Sequence, residues 1–301
     1  MILCENYSMQ IKKNDILILY LYRFKQIFNY IPMKRRNFIK AAGALSVVSA
    51  TSMASTLKTG SGSFDVSETS VVSAAKEIYE WRIYTLTGDG QSLDSFFENT
   101  LFPAYKRKNI KAGAFKLLKP KEGEKEQRHV LFIYPDIATY LTVKKTIWDD
   151  KEFRQKAQDF YDTTAPKPVY SNMESYLSEA FDKIPVHRKP DPSRTILEVR
   201  VYKSPNEEAN QRKIKMFNVD EIAAFDKTGV NSVLYGEIMA GPRMPALIYL
   251  TWFKDEATRA EAWANFEKHP DWKRMSKLPE YAYTATNNQS ILLSPLSFSQ
   301  I

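Results

Sequence analysis

Cysteine is almost missing from this chain of 301 residues: Cys4 is the only one. It falls in a segment expected to be removed, so the remainder can form no disulfide, thiolate nucleophile or Cys-ligated metal site. Histidine is scarce too, at three residues, with no pair spaced to make a metal site by itself. No H-E-x-x-H, P-loop, G-x-S-x-G or G-x-G-x-x-G occurs. Metal-dependent proteolysis, ATP hydrolysis, triad hydrolysis and Rossmann hydride transfer therefore lack their usual signatures, and no motif implies a cofactor. Long apolar runs are absent as well. The best, Ile16–Tyr22, is short and followed by Arg23 and Lys25, which excludes a stable membrane span in the mature protein.

The formal charge of +8 invites a nucleic-acid reading, but its distribution argues against one. Of 43 Lys/Arg and 35 Asp/Glu, eight and two lie within residues 1–54, which leaves 35 basic and 33 acidic residues in the body. A nearly neutral body is no surface for tracking phosphates. Hydrophobic residues at 44% and charged residues at 26% fit an ordinary globular protein rather than a disordered one.

Residues 33–54 read as an export signal. Lys34, Arg35, Arg36, Phe38, Ile39 and Lys40 resemble the twin-arginine consensus, and a mildly apolar stretch runs on from Ala41 to Ala50. Ser52-Met53-Ala54 then offers small residues for cleavage. Residues 1–32 are read as an over-extended start and 55–76 as a flexible linker rich in Ser, Thr, Gly and Ala. The expected location is periplasmic or otherwise extracytoplasmic.

The body of the chain is duplicated. Tyr79-Glu80-Trp81-Arg82-Ile83-Tyr84 is echoed by Leu197-Glu198-Val199-Arg200-Val201-Tyr202, 118 residues on. Phe132–Thr139 is echoed by Thr251–Thr258, and Glu152-Phe153-Arg154 by Asp271-Trp272-Lys273, both at 119. A Pro-rich, charged seam at 184–193 separates the copies. Within each copy, period-2 and helical patterns alternate in the order βαββαβ. Asp136 and Asp255 stand where helix N-caps belong. Pro103 is expected to kink or interrupt a helix over 92–109. The fold class is α+β, two tandem ferredoxin-like modules over 77–181 and 194–296. Their sheets are expected to cover each other in a pseudo-dimeric α/β barrel, with two separate domains as the alternative.

The chain resembles the NIPSNAP family, a ferredoxin-like member of the dimeric α/β-barrel group. The carriers are Tyr79–Tyr84, close to the family's opening Tyr-Glu-Leu-Arg-x-Tyr. The run Trp263-Ala264-Asn265-Phe266-Glu267-Lys268-His269-Pro270-Asp271-Trp272 is close to its Trp-x-x-Phe…Pro-x-Trp ending. The first copy departs there, with Lys144, Ile147 and Lys151 at the corresponding places. Relatives on the same barrel include small monooxygenases and haem-degrading enzymes, yet fold does not dictate function.

Strand alternation places Glu80, Arg82 and Tyr84 on one face and Trp81 and Ile83 on the other; Glu198, Arg200 and Tyr202 repeat the polar face. If Trp81, Ile83, Val199 and Val201 pack under the helices, the Glu-Arg-Tyr rows point into the barrel. There an arginine could grip an anion and a tyrosine could donate to a substrate oxygen. Simple Glu–Arg pairing that holds the sheet is the competing reading. His129 is expected to face a cavity, His187 to be exposed in the seam, and His269 to cap or follow a helix rather than catalyse. Trp148, Trp252, Trp263 and Trp272 are read as core. The functional expectation is an exported protein that binds or transforms a small molecule between the two sheets. The alternatives are a non-catalytic interaction module and, more narrowly, a cofactor-free monooxygenase-like enzyme. Association of barrels into a homo-oligomer stays open.

Overall fold

The computed structural model describes residues 75–301, all within one compact unit, Ser70–Ile301. The expected signal, and all but the last residues of the expected linker, lie outside the described residues.

Eight strands run β1 (Ile78–Leu86), β2 (Lys111–Leu117), β3 (Gln127–Tyr134), β4 (Tyr170–Ala180), β5 (Ile196–Lys203), β6 (Asn231–Ala240), β7 (Ala246–Phe253) and β8 (Asn287–Pro295). They close into one antiparallel barrel in the order β1-β3-β2-β8-β5-β7-β6-β4. Each half contributes four strands, and the seams are β4 with β6 and a short β2–β8 ladder, Phe115 to Leu117 against Pro295 to Leu293. Neither half is a domain apart, because each sheet's inner face is covered only by the other.

Helices cover the outer faces. In the first half these are α1 (Gln91–Phe96), α2 (Phe102–Arg107), α3 (Ile137–Thr146) and α4 (Lys151–Thr164). In the second half they are α5 (Glu207–Met216), α6 (Ile222–Thr228), α7 (Glu256–Lys268) and α8 (Pro270–Met275). Asp136 and Asp255 accept the backbone N–H of Thr139 and Thr258 at 2.7 and 2.8 Å, which satisfies amides the first turns would otherwise leave unpaired. A π turn joins α1 to α2 at Phe97–Leu101, and another joins α5 to α6 at Phe217–Glu221. Pro103 therefore does not break its helix: it stands at the start of α2, just past the widened turn. The equivalent turn in the second half forms without a proline, so Pro103 is accommodated by the bulge and is not its cause. Gly229, at φ 83°, ends α6 in the left-handed region and turns the chain into β6.

The two strand faces are the reverse of the expected assignment. Tyr79, Trp81, Leu197, Val199 and Val201 lie inside the barrel, with Leu131, Ile133, Phe115, Ile248 and Leu250. Trp81 stacks on Phe115 at 5.7 Å between centroids. Burying each such side chain contributes roughly 1.5–3 kcal/mol, and together they fill the middle of the barrel. The rows Glu80-Arg82-Tyr84 and Glu198-Arg200-Tyr202 face the helices instead, beside Phe97, Phe132 and Tyr105 in one half and Phe217, Phe225 and Tyr249 in the other. The physical reason is that both faces of these strands are buried. Alternation separates the faces but does not say which is inner. The middle of the barrel is filled by apolar side chains, whereas the helix layer leaves clefts beside the Glu-Arg-Tyr rows where an ion pair keeps part of its solvation. A cleft of about 600 Å³ remains at one barrel mouth, lined by Ile83, Gln127, Glu174, Arg243 and Gln289 among others.

Candidate functional site

Each half has a cleft between its sheet and its helices, and the Glu-Arg-Tyr rows floor both. In the first half Arg82 is fully engaged. Its Nε and Nη2 donate to the Glu80 carboxylate at 2.9 Å each, and its Nη1 and Nη2 also reach the hydroxyls of Tyr84 (3.4 Å) and Tyr105 (3.2 Å). Tyr134 Oη and Lys144 Nζ donate to Glu80 as well, at 2.8 and 3.3 Å. Burial alone would push the Glu80 carboxyl up, but the charge and hydrogen bonds of Arg82, with Lys144, hold it below its ordinary value. This is the architectural pairing that the sequence left open.

In the second half the same carboxylate has other partners. Glu198 Oε2 accepts from Arg259 Nε at 2.8 Å and from Trp263 Nε1 at 2.9 Å, and its Oε1 accepts from Ser290 Oγ at 2.6 Å. Burial opposes ionisation here too, and the bonds from Arg259 and Ser290 outweigh it and keep the carboxyl low. Arg200 is thereby released. Its Nε lies 3.6 Å from Glu198, beyond a good hydrogen bond, and is buried with no acceptor among the described residues. Its guanidinium sits 4.5 Å over the Trp263 ring and 5.6 Å from that of Tyr202. The swap originates on α7. Arg259 and Trp263 occupy the places that Tyr140 and Lys144 hold 119 residues earlier.

The cleft above Arg200 has a volume of about 570 Å³. Arg200, Tyr202, Lys213, Trp263, Phe266 and Trp272 are among the residues that line it. Lys213, from α5, bonds Glu221 across the π turn at 2.7 Å and lies 4.8 Å from the Phe217 ring. Tyr202 Oη accepts from Tyr249 Oη at 2.9 Å, so its own proton is free to be donated. Burial holds the Tyr202 hydroxyl above its ordinary value, so it stays a donor at neutral pH. A cation whose Nε has no hydrogen-bond acceptor among the described residues, a hydroxyl donor beside it and an indole wall can together hold an oxygen-bearing anion with an apolar body.

The remaining candidates do not join this cleft. His129 is fully buried inside the barrel rather than facing a cavity. Its Nδ1 accepts from Trp81 Nε1 at 3.2 Å, and its Nε2 meets Gln127 Oε1 at 3.0 Å. Burial pushes it down to about 3, so it is a neutral packing group. His269 is the N-cap of α8, its Nδ1 accepting the Asp271 N–H at 3.2 Å. His187 is not exposed: its side chain is 5% accessible and contacts Glu77 at 2.9 Å. Sequence reasoning missed Arg259, Lys213 and Glu221. Arg259 carried a faint signal, as a charged helix residue aligned with an aromatic one. The other two depend on the π turn, which no local pattern announces.

Residues 197–300, the half that holds this cleft, match the family model described as NIPSNAP. A search among curated proteins finds no match. Among solved structures, the chain is similar to a "putative monooxygenase" of Fusobacterium nucleatum, at 12% identity and a TM-score of 0.50, over 74% of this chain and 93% of that one. It is also similar to a "putative monooxygenase" of Lactobacillus acidophilus (9% identity, TM-score 0.47, 73% and 94% covered). A third is an uncharacterised NIPSNAP-like domain protein of Burkholderia xenovorans (23%, TM-score 0.32, 36% and 90% covered). The first of these likenesses shows the barrel fold and nothing further. No helix among the described residues is long and apolar enough to cross a membrane, and no cluster there is arranged to hold a metal ion.

Proposed function

We propose that this chain is an exported tandem NIPSNAP-family protein, two ferredoxin-like modules fused into one barrel, that binds a small organic anion in the second-half cleft. The observation that carries this is the released Arg200. The buried Nε atoms of Arg194, Arg200 and Arg243 all lack an acceptor among the described residues, which is costly unless something supplies one, and of the three only Arg200 lies over an indole. Its counterpart Arg82 shows what the same strand position does when it serves only the sheet. The reading moves the ligand from between the sheets to beneath the helices, because the barrel middle is filled by Trp81, Phe115 and their neighbours. The monooxygenase descriptions reach this chain through a shared barrel alone, so the proposal stops at binding. Export by the twin-arginine route rests on Arg35, Arg36 and the apolar stretch after them, and gives a periplasmic location.

The test is equilibrium titration with 1-naphthoate, a flat carboxylate, followed by tryptophan fluorescence. Arg200→Gln should weaken binding at least tenfold, the loss of a charge-assisted bidentate contact, while Arg243→Gln at the barrel mouth leaves it unchanged. Loss on Arg243→Gln and none on Arg200→Gln would return the ligand to the barrel and overturn the proposal.

A further inference from the structure

The first-half cleft is a different chemical object from its counterpart, and its cations are already engaged. Arg82 and Lys144, the two cations that line it, both bond the Glu80 carboxylate. The space is smaller, about 140 Å³, and its wall is dominated by rings: Tyr84, Phe96, Phe97, Tyr105, Phe153 and Phe160. Phe96 and Phe160 stack at 4.1 Å, which fixes one side. Where the second half has Lys213 and Glu221, 120 residues earlier this half has Leu93 and Leu101, both buried and both lining the space. Trp148, 53% exposed, stands at the rim.

Two polar groups in the wall have unspent capacity. The hydroxyls of Tyr84 and Tyr105 each accept from Arg82, and neither donates to any acceptor among the described residues. Tyr84 is buried, and burial pushes its hydroxyl up, so it keeps its proton at neutral pH. A hydroxyl that accepts from a guanidinium is polarised and becomes a better donor. An apolar cavity of roughly 150 Å³ accommodates benzene, so the size suits a single ring.

We propose that this cleft is a second binding site, independent of the anion cleft, for a neutral single-ring aromatic molecule bearing one acceptor oxygen. The ring lies against Phe96 and Phe97, and the oxygen receives the O–H groups of Tyr84 and Tyr105. The oxygen gives those two protons an acceptor, and Arg82 is already bonded to Glu80, Tyr84 and Tyr105.

Isothermal titration of the full chain with benzaldehyde and with toluene tests this. The two probes share a ring and differ in the acceptor oxygen. Benzaldehyde should bind about thirtyfold more tightly than toluene, the ratio that two neutral hydrogen bonds allow. In Tyr84→Phe/Tyr105→Phe the two affinities should become equal while that for toluene is kept. Leu93→Phe, which fills the space away from Arg82, should abolish both. Saturating 1-naphthoate should leave benzaldehyde binding unchanged. The proposal is overturned if neither probe binds, if the preference for benzaldehyde survives the double substitution, or if 1-naphthoate competes with benzaldehyde.

Discussion

His129 allows a pH experiment whose size is set by its surroundings. Its Nδ1 accepts the Trp81 indole N–H, so the ring's own proton sits on Nε2, facing Gln127 Oε1. Protonation would set a second N–H against the indole donor and place a charge at a fully buried position. Burial accordingly lowers His129 to about 3, against about 6.5 in an unfolded chain. Between those values the unfolded state binds the extra proton, so stability is complete above pH 6.5 and is lost as pH falls. Each pH unit below 6.5 costs about 1.4 kcal/mol, or about 2 kcal/mol at pH 5 relative to pH 7. The carboxyls of Glu80 and Glu198, held below their ordinary values, contribute only at more acid pH. Urea unfolding at pH 7 and pH 5 should show this loss in the natural chain. In His129→Gln, whose side chain still offers Trp81 an acceptor, the loss should be smaller by about 2 kcal/mol. Equal losses in the two proteins would refute the reasoning, and would mean that His129 titrates freely, as a cavity-facing base would.

Two further outcomes separate the halves. Arg259→Ala should weaken 1-naphthoate binding severalfold, because Glu198 would then recapture Arg200, at 3.6 Å the nearest cation left to it; fluorescence titration reads this directly. Glu80→Gln should cost about 3–5 kcal/mol in urea unfolding, since it strands the buried Arg82 guanidinium. Arg200→Gln should cost far less on the same measurement, because the Arg200 Nε has no hydrogen-bond partner among the described residues to lose.

The repeat was legible because each copy must build the same barrel half. The near-constant offset, 118 from Glu80 to Glu198 and 119 from Asp136 to Asp255, yields the βαββαβ element order of both halves and the N-caps of α3 and α7. The orientation of the strands was not legible. Rows such as Glu80-Arg82-Tyr84 alternate with Trp81 and Ile83 whichever face turns inward, and the choice depends on which layer can solvate an ion pair. The candidate residues of β1 and β5 were expected to point into the barrel and lie instead on the face that packs under the helices. The asymmetry between Arg82 and Arg200 was beyond sequence reasoning for a different reason. Both strands read Glu-x-Arg-x-Tyr. What separates them is the swap of Tyr140 and Lys144 for Arg259 and Trp263 on a helix some 60 residues away. His129 was misread because a histidine that begins a strand pattern carries no mark of the indole that will bury it.

The central claim is that Arg200 is an anion receptor. A crystal structure of the protein soaked with 1-naphthoate tests it most directly. The expected result is the carboxylate within about 2.7–3.2 Å of the Arg200 guanidinium, with the naphthalene ring against Trp272. A carboxylate bound at Arg243 in the barrel mouth, or an empty second-half cleft with Arg200 turned onto Glu198, would contradict it.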